Sequence, residues 1–123
     1  MRLSAFLCAA ALLATSHAKC FTVDDPQAQL WGDTDAVLSG VEFVCKHELT
    51  KTYQGHEEAV SHIEIHKDQI FSFKIRRVKG ERRSLGFNEC VNGMSKEVKG
   101  CPHGGQSKYG NWEYTAKPAK TID

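Results

Sequence analysis

Residues 61–78 read SHIEIHKDQIFSFKIRRV, and apolar and polar side chains alternate through most of this stretch. In its second half Phe71, Phe73 and Ile75 fall on one face, with hydroxyl and basic side chains on the other. A period of two residues is typical of a half-buried β-strand. Because the polar pair at 67–68 separates two such runs, the stretch predicts a β-hairpin.

An amphipathic helix is predicted soon after this hairpin. Its apolar side chains recur at intervals of four, three, four and three residues, at Phe87, Val91, Met94, Val98 and Cys101. That spacing matches one face of a helix with about 3.6 residues per turn. Asn88 is the predicted N-cap, and Gly100 with Pro102 supplies the stop. We therefore expect a helix from about residue 88 to residue 100.

The flanking segments complete the predicted fold. Residues 41–49 alternate as a strand that points Cys45 inward, whereas residues 20–40 show no sustained period and are interpreted as an irregular arm. Residues 109–116, framed by glycines, predict a final strand. We expect the α+β class: a small two-layer sandwich in which a three to four stranded antiparallel or mixed sheet packs one helix across one face.

Residues 1–18 have the organisation of a secretory signal peptide. Arg2 precedes an apolar run over residues 3–14, and small side chains then occupy Ser16 and Ala18. A transmembrane anchor needs about 20 apolar residues, and this run is shorter. We therefore expect cleavage after Ala18, a single domain over residues 19–123, secretion to the extracellular space and no membrane span.

The cysteine count agrees with secretion. Removal of Cys8 with the signal peptide leaves Cys20, Cys45, Cys90 and Cys101, an even set that predicts two disulfides in a short secreted chain. On a continuous helix Cys90 and Cys101 would be about 16 Å apart, beyond the roughly 7 Å limit for bridged Cα atoms. We favour Cys45 with Cys90 and Cys20 with Cys101, and the opposite cross-pairing stays open.

Positive charge is concentrated in the second half of the hairpin and just after it. The 16 Lys and Arg less Arg2 leave 15, against 15 Asp and Glu, yet residues 67–83 hold seven basic side chains and two acidic ones. Such a field attracts anions. A polyanion or an acidic protein surface is therefore a candidate ligand for this basic patch: Lys74, Arg76, Lys79, Arg82 and Arg83. The competing interpretation is a solvated strand whose charges prevent edge-to-edge aggregation.

Two Arg-Arg pairs occur in the same region, at 76–77 and 82–83. Dibasic pairs are cleavage motifs for proteases of the secretory pathway. Both lie inside or beside predicted structure, and a cut there would sever the hairpin from its helix.

One set of polar side chains on adjacent predicted strands is a catalytic candidate: His62, Glu64, His66 and Arg76. A small secreted ribonuclease uses a carboxylate and histidines for proton transfer, with arginine on the phosphate. The element order argues against that enzyme, because compact fungal ribonucleases place their helix before the main sheet. The competing interpretation is a solvated polar face.

No metal or cofactor is expected. His56 begins a pattern like that of a zincin helix, but the second histidine would fall at Val60. The cysteines also lack the CxxC spacing of zinc sites.

Residues 80–114 combine a helix carrying Cys90 and Cys101, a glycine pair at 104–105 and an aromatic strand at 109–114. In this combination the chain resembles small secreted cysteine-rich proteins of filamentous fungi, many of which are candidate effectors of plant-associated species. Related two-layer sandwiches occur among killer-toxin-like and sugar-binding fungal proteins. The resemblance implies a structural family and carries over no catalytic residues.

We therefore expect a non-enzymatic secreted protein that acts at a host interface, in virulence, through protein or glycan binding. The expected partner is a host protein or cell-wall glycan, a second secreted fungal protein is another candidate, and nucleic acid is not expected. The alternative functions are a ribonuclease-like hydrolase and a lectin or polyanion-binding module. In a lectin, Trp112 or Tyr109 would stack on a sugar if exposed.

Overall fold

The chain folds into a β-sheet with helices packed on one face, as a computed structural model shows for residues 16–22, 29–66 and 69–119. Those residues contain two α-helices, α1 at Thr34–Val44 and α2 at Phe87–Gly100, with a π-helical turn at Cys45–Leu49 after α1. They also contain seven strands: β1 Ser16–Cys20, β2 Thr52–Tyr53, β3 Glu58–His66, β4 Gln69–Arg77, β5 Arg83–Ser84, β6 Gly105–Tyr109 and β7 Trp112–Ala119. The α+β class and the two-layer arrangement are confirmed.

Five strands form one antiparallel sheet in the order β1-β6-β7-β4-β3, one strand more than the widest predicted sheet. β3 and β4 are the predicted hairpin, with Ile63 opposite Phe71. Its turn residues, 67–68, lie outside the described residues. β4 also pairs with β7, where Ile75 lies opposite Tyr114, so β4 has a partner on each side. The short strands β2 and β5 pair as a separate ribbon.

The core lies between the sheet and the two helices. Phe71, Phe73 and Ile75 of β4 are buried, as the alternation predicts, and pack in one cluster with Met94 of α2 and Trp112 of β7. The side chains that alternate with them on β4 face away from the helices and are half-buried, apart from a buried isoleucine at position 70. The sheet therefore has one packed face and one face without a helix on it in the described part of the chain.

Gly93 brings α2 close to the sheet. A Cβ at this position would lie 2.3 Å from the Tyr114 ring, well inside the contact distance of two carbon atoms. The Tyr114 hydroxyl in turn donates a hydrogen bond to the Glu89 carbonyl at 3.2 Å. A side chain at position 93 would therefore push α2 away from β7.

The predicted strand over residues 41–49 is wrong, because this segment belongs to α1 and the π-helical turn. Val37, Val41 and Val44 recur at the helical period and are fully buried. Alternating apolar residues inside 41–49 fit a strand equally well over so short a window. The helix leaves Phe43 53% exposed.

The predicted irregular arm over residues 20–40 contains the first half of α1. Asp33 is its N-cap, and its side chain accepts a hydrogen bond from the Ala36 amide at 3.3 Å. This satisfies one of the amides that have no partner within the first turn of a helix. An acidic residue ahead of Val37, Val41 and Val44 was thus the sequence signal for this helix.

α2 confirms the one helix that the sequence predicts, with a correction at its start, and α1 is a helix in addition to it. It begins at Phe87, and its N-cap is Gly86 rather than Asn88. The predicted last strand over 109–116 is likewise two strands, β6 and β7, joined by a tight turn at 110–111. Gly110 adopts φ of 58° there, which glycine accepts without the strain that a Cβ introduces.

Both favoured disulfides are present. Cys45–Cys90 joins the π-helical turn to α2 with a Cα–Cα distance of 5.8 Å, and Cys20–Cys101 joins β1 to the end of α2 with 5.2 Å. Cys45 and Cys90 are completely buried. Loss of a native disulfide from a small domain typically costs about 2 to 5 kcal/mol, so these two bridges are large contributions to stability.

The predicted signal peptide lies mostly outside the described residues, which begin at Ser16. Ser16–Cys20 form β1, whose register with β6 places Cys20 opposite Gly105. Cleavage after Ala18 would leave only Lys19 and Cys20 of this strand. Between Ser16 and Ala119, in the part of the chain that is described, neither helix is long and apolar enough to cross a bilayer.

Candidate binding surface

The open face of the sheet, meaning the face turned away from α1 and α2, contains a depression of about 210 Å³. Its polar lining comes from three neighbouring strands: His62 of β3, Ser72 and Lys74 of β4, and Thr115 and Lys117 of β7. The register explains this grouping, because His62 lies opposite Ser72, Ser72 opposite Lys117, and Lys74 opposite Thr115. Side chains at directly opposed positions lie about 5 Å apart.

Apolar side chains complete the depression. Val60 of β3, Ile70 of β4 and Ala119 of β7 line it together with the polar residues. Ile70 and Ala119 are buried, whereas Val60 is 50% exposed. The depression therefore offers ammonium groups, an imidazole, hydroxyls and an apolar surface at one place.

The neighbouring row of the open face is neutralised. Arg76 Nε donates to Glu113 Oε1 at 3.0 Å, and the two side chains are 29% and 13% exposed. Glu58 lies directly opposite Arg76 on β3. Arg76 thus has an acidic neighbour on each side, and the positive character of the open face lies at Lys74 and the depression around it.

The structure divides the predicted basic patch into separate groups. Lys74 lines the open-face depression, while Arg76 is paired with Glu113. Arg82 and Arg83 lie together at a second depression of about 560 Å³, formed at the β2–β5 ribbon. Lys79 is exposed in the segment that leads from β4 to this ribbon.

Arg77 is a buried residue that the charge pattern alone did not single out. It is 2% exposed, its Nε donates to the Glu81 carbonyl at 2.9 Å, and its Nη1 donates to the Asn111 carbonyl at 3.0 Å. The guanidinium also lies over the Trp112 ring, 5.6 Å from its centroid. Arg77 therefore fastens two loops to the end of β4. Its alternation with Phe73 and Ile75 on the buried face was the available sequence signal.

Glu97 is a second buried charged residue, on α2. It is 1% exposed, and it accepts hydrogen bonds from the Ser107 hydroxyl at 2.9 Å and the Tyr109 hydroxyl at 3.5 Å. Burial raises the pKa of the Glu97 carboxyl, and these hydrogen bonds and nearby Lys96 oppose the shift. Because Ser107 and Tyr109 belong to β6, these hydrogen bonds link α2 to β6. Among the described residues, every buried side-chain nitrogen and oxygen has a hydrogen-bond partner.

The aromatic residues considered for sugar stacking face the helices. Trp112 is 1% exposed and its indole donates to Glu89 Oε2 at 3.1 Å. Tyr109 is half-buried, with Lys96 Nζ 4.8 Å from its ring centroid. Trp112 is therefore closed to a ligand, and the open face contains neither ring.

The ribonuclease-like set is spread along the hairpin. His62 lies opposite Ser72 and Arg76 opposite Glu58, so the two are separated by four residues along β4, about 13 Å. Glu64 is exposed opposite Ile70. In the described part of the chain no three His, Cys, Asp or Glu side chains lie close enough together to hold a metal ion.

Comparison with known proteins gives no family or function for this chain. No protein-family model matches the chain, and no curated protein sequence matches it significantly. The surface chemistry and the fold are therefore the basis for a functional proposal.

Proposed function

We propose that this chain is a secreted, non-catalytic binding protein that acts at a host interface and holds an anionic glycan on the open face of its sheet. The observation that carries the proposal is the depression whose lining combines Lys74, Lys117 and His62 with two hydroxyls and an apolar surface. The signal-like N-terminus, the two disulfides and the resemblance to fungal effectors support the extracellular setting.

The lining suits an acidic sugar in particular. Lysine ammonium groups attract carboxylates and sulfates, and charge-assisted hydrogen bonds are the strong ones at such sites. Ser72 and Thr115 can donate to and accept from sugar hydroxyls. Val60 and Ile70 offer apolar contact to the C–H face of a sugar ring. Lys74 and Lys117 occupy diagonal positions on paired strands, about 7 to 8 Å apart, within the span of one oligosaccharide.

Binding is tested by retention on a uronate polymer, on heparin and on a neutral β-glucan at two ionic strengths. We expect retention on the acidic matrices that weakens with salt, since the Debye length falls from about 10 Å at 0.1 M to about 3 Å at 1 M. Lys74→Glu should weaken binding roughly 10- to 30-fold, because each exposed contact contributes about 1 kcal/mol and reversal turns attraction into repulsion.

Two charge reversals serve as controls. Lys99→Glu makes the same change on the exposed end of α2, and Arg82→Glu makes it at the second depression. Both should retain most of the binding. Retention on neutral glucan alone, or equal losses for Lys74→Glu and Lys99→Glu, would contradict an anion site on the open face.

The host role is tested separately. Expression in leaf tissue with and without residues 1–18 should give extracellular accumulation only when they are present, with a change in cell death or immune signalling. Absence of accumulation would remove the secreted setting of the proposal.

A further inference from the structure

The two Arg-Arg pairs of the chain have opposite surroundings. Arg82 and Arg83 are exposed, as are the flanking residues Glu81 and Ser84, and the Glu81 side chain is 81% accessible. Within the described residues no ion pair involves Arg82 or Arg83. Both side chains border an open depression. This pair is therefore presented to solvent in the way a protease subsite requires.

The other pair, Arg76-Arg77, is held inside the sheet. β4 is paired along its length with β3 on one side and β7 on the other. Arg76 lies opposite Glu58 of β3 and opposite Glu113 of β7. Arg77 is 2% exposed and donates hydrogen bonds to the two loops that it fastens. A protease must draw its substrate out as an extended strand, and here that would dismantle the sheet.

Little structure holds the exposed pair. The β2–β5 ribbon has two residue pairs, Thr52 with Ser84 and Tyr53 with Arg83, and one hydroxyl contact of 2.7 Å between Thr52 and Ser84. Short two-stranded ribbons are marginally stable, and local opening of such elements costs far less than global unfolding. Buried Leu85 anchors the chain just beyond, with its amide bonded to the Lys51 carbonyl at 2.9 Å.

We propose that the Arg83–Ser84 peptide bond is a processing site for a dibasic-specific endoprotease of the secretory pathway, and that the mature protein is a disulfide-linked pair of chains. The proposal takes the secreted route from the proposed function. Hydrolysis adds one water across the bond, leaving a carboxylate on Arg83 and an ammonium group on Ser84. The proposed endoprotease belongs to the class whose substrate-binding subsites are lined with acidic residues and accept two successive guanidinium groups.

The fold is built to survive this cut. Cys20 and Cys45 precede the bond, and each is bridged to a cysteine after it, Cys101 and Cys90 respectively. The strand pair β4–β7 also joins the two fragments. The two fragments therefore stay associated after hydrolysis and separate only when the disulfides are reduced and the sheet is unfolded.

The test uses purified, oxidised protein and a purified secretory endoprotease specific for dibasic pairs. On a non-reducing gel we expect a single band, and intact-mass spectrometry should show that this species is heavier by the mass of one water. Under reducing and denaturing conditions it should give two fragments, the second beginning Ser84-Leu85-Gly86. Arg83→Gln should abolish the cut. Arg76→Gln, the matched change in the protected pair, should leave it unaffected.

A reduced and unfolded sample provides the positive control, because both pairs are accessible in it. The proposal is overturned if that sample is cut while the folded protein stays intact, or if the folded protein is cut first after Arg77. Secretion of only uncut protein from a eukaryotic host would also overturn it. None of these results would alter the glycan retention of uncut protein, so failure of the processing site is distinguishable from failure of the proposed function.

Discussion

Replacing Arg77 by alanine removes the donor of four hydrogen bonds, of which the two shortest go to the Glu81 carbonyl at 2.9 Å and to the Asn111 carbonyl at 3.0 Å. Hydrogen bonds from charged groups contribute roughly 1.5 to 3 kcal/mol each. Part of this is offset, because the variant no longer buries a charge. We therefore expect Arg77→Ala to lower the free energy of unfolding by about 3 kcal/mol, from the lower bound for two such bonds.

The assay is urea unfolding followed by tryptophan fluorescence, since Trp112 lies against the Arg77 guanidinium. In a thermal melt the same change corresponds to a fall of about 12 to 24 °C for a domain of this size. Arg76→Ala is the matched control, because its ion pair with Glu113 is partly exposed and such pairs contribute below about 1 kcal/mol.

The reasoning is refuted if Arg77→Ala destabilises the protein no more than Arg76→Ala does. A second readout follows from the same contacts. Freed from the hydrogen bond to the Glu81 carbonyl, the chain ahead of Arg82 should open more readily, so Arg77→Ala should be cut faster after Arg83 by the dibasic endoprotease. Unchanged cleavage kinetics would show that Arg77 does not restrain this segment.

Three further predictions follow from individual residues. The pKa of Glu97 is raised in the folded state by burial, so the stability that the protonated carboxyl contributes is present below its ordinary pKa and is lost as pH rises through the folded pKa. Glu97→Gln should flatten this pH dependence in urea midpoints measured from pH 4 to pH 8, and an unchanged dependence of the midpoint on pH would contradict the prediction. Gly93→Ala should destabilise the protein by about 1 to 3 kcal/mol through overpacking against Tyr114, whereas Gly100→Ala, where a Cβ meets nothing within 4 Å, should cost less than about 1 kcal/mol. Because His62 faces Ser72, His62→Ala should leave any RNA degradation by the purified protein unchanged, and a loss of activity would revive the ribonuclease hypothesis.

Local patterns predicted the elements whose signals are complete within a few residues. The β3–β4 hairpin follows from alternation around a polar turn, and α2 from a stripe at the helical period. Helix geometry also excluded a bridge between Cys90 and Cys101. In α1 the same kind of reasoning failed, because the valines and Phe43 fit either period over a short window. The choice between helix and strand in this segment is decided by the burial of Val37 and Val44 in the core, which is a tertiary effect.

The candidate site could be predicted only in part. The alternation places Lys74 on the face opposite Phe73, which is where it lies. Its neighbours Thr115 and Lys117 come from β7, whose pairing with β4 connects residues about forty positions apart. No local pattern carries that register. The charge count likewise grouped Lys74 with Arg82 and Arg83. In the fold Lys74 lines the open-face depression, whereas Arg82 and Arg83 line the second one.

The disulfide connectivity has a consequence for biogenesis. Synthesis proceeds from the N-terminus, so on the proposed secretory route Cys20 and Cys45 would enter an oxidising compartment while both native partners are still to be made. Cys90 follows Cys45 by 45 positions, so elongation at roughly 5 to 20 residues per second would leave the Cys45 thiol without its native partner for about 2 to 9 s. During this interval a Cys20–Cys45 bridge would be the available oxidation product, and thiol–disulfide exchange would then be needed to reach the native pairing.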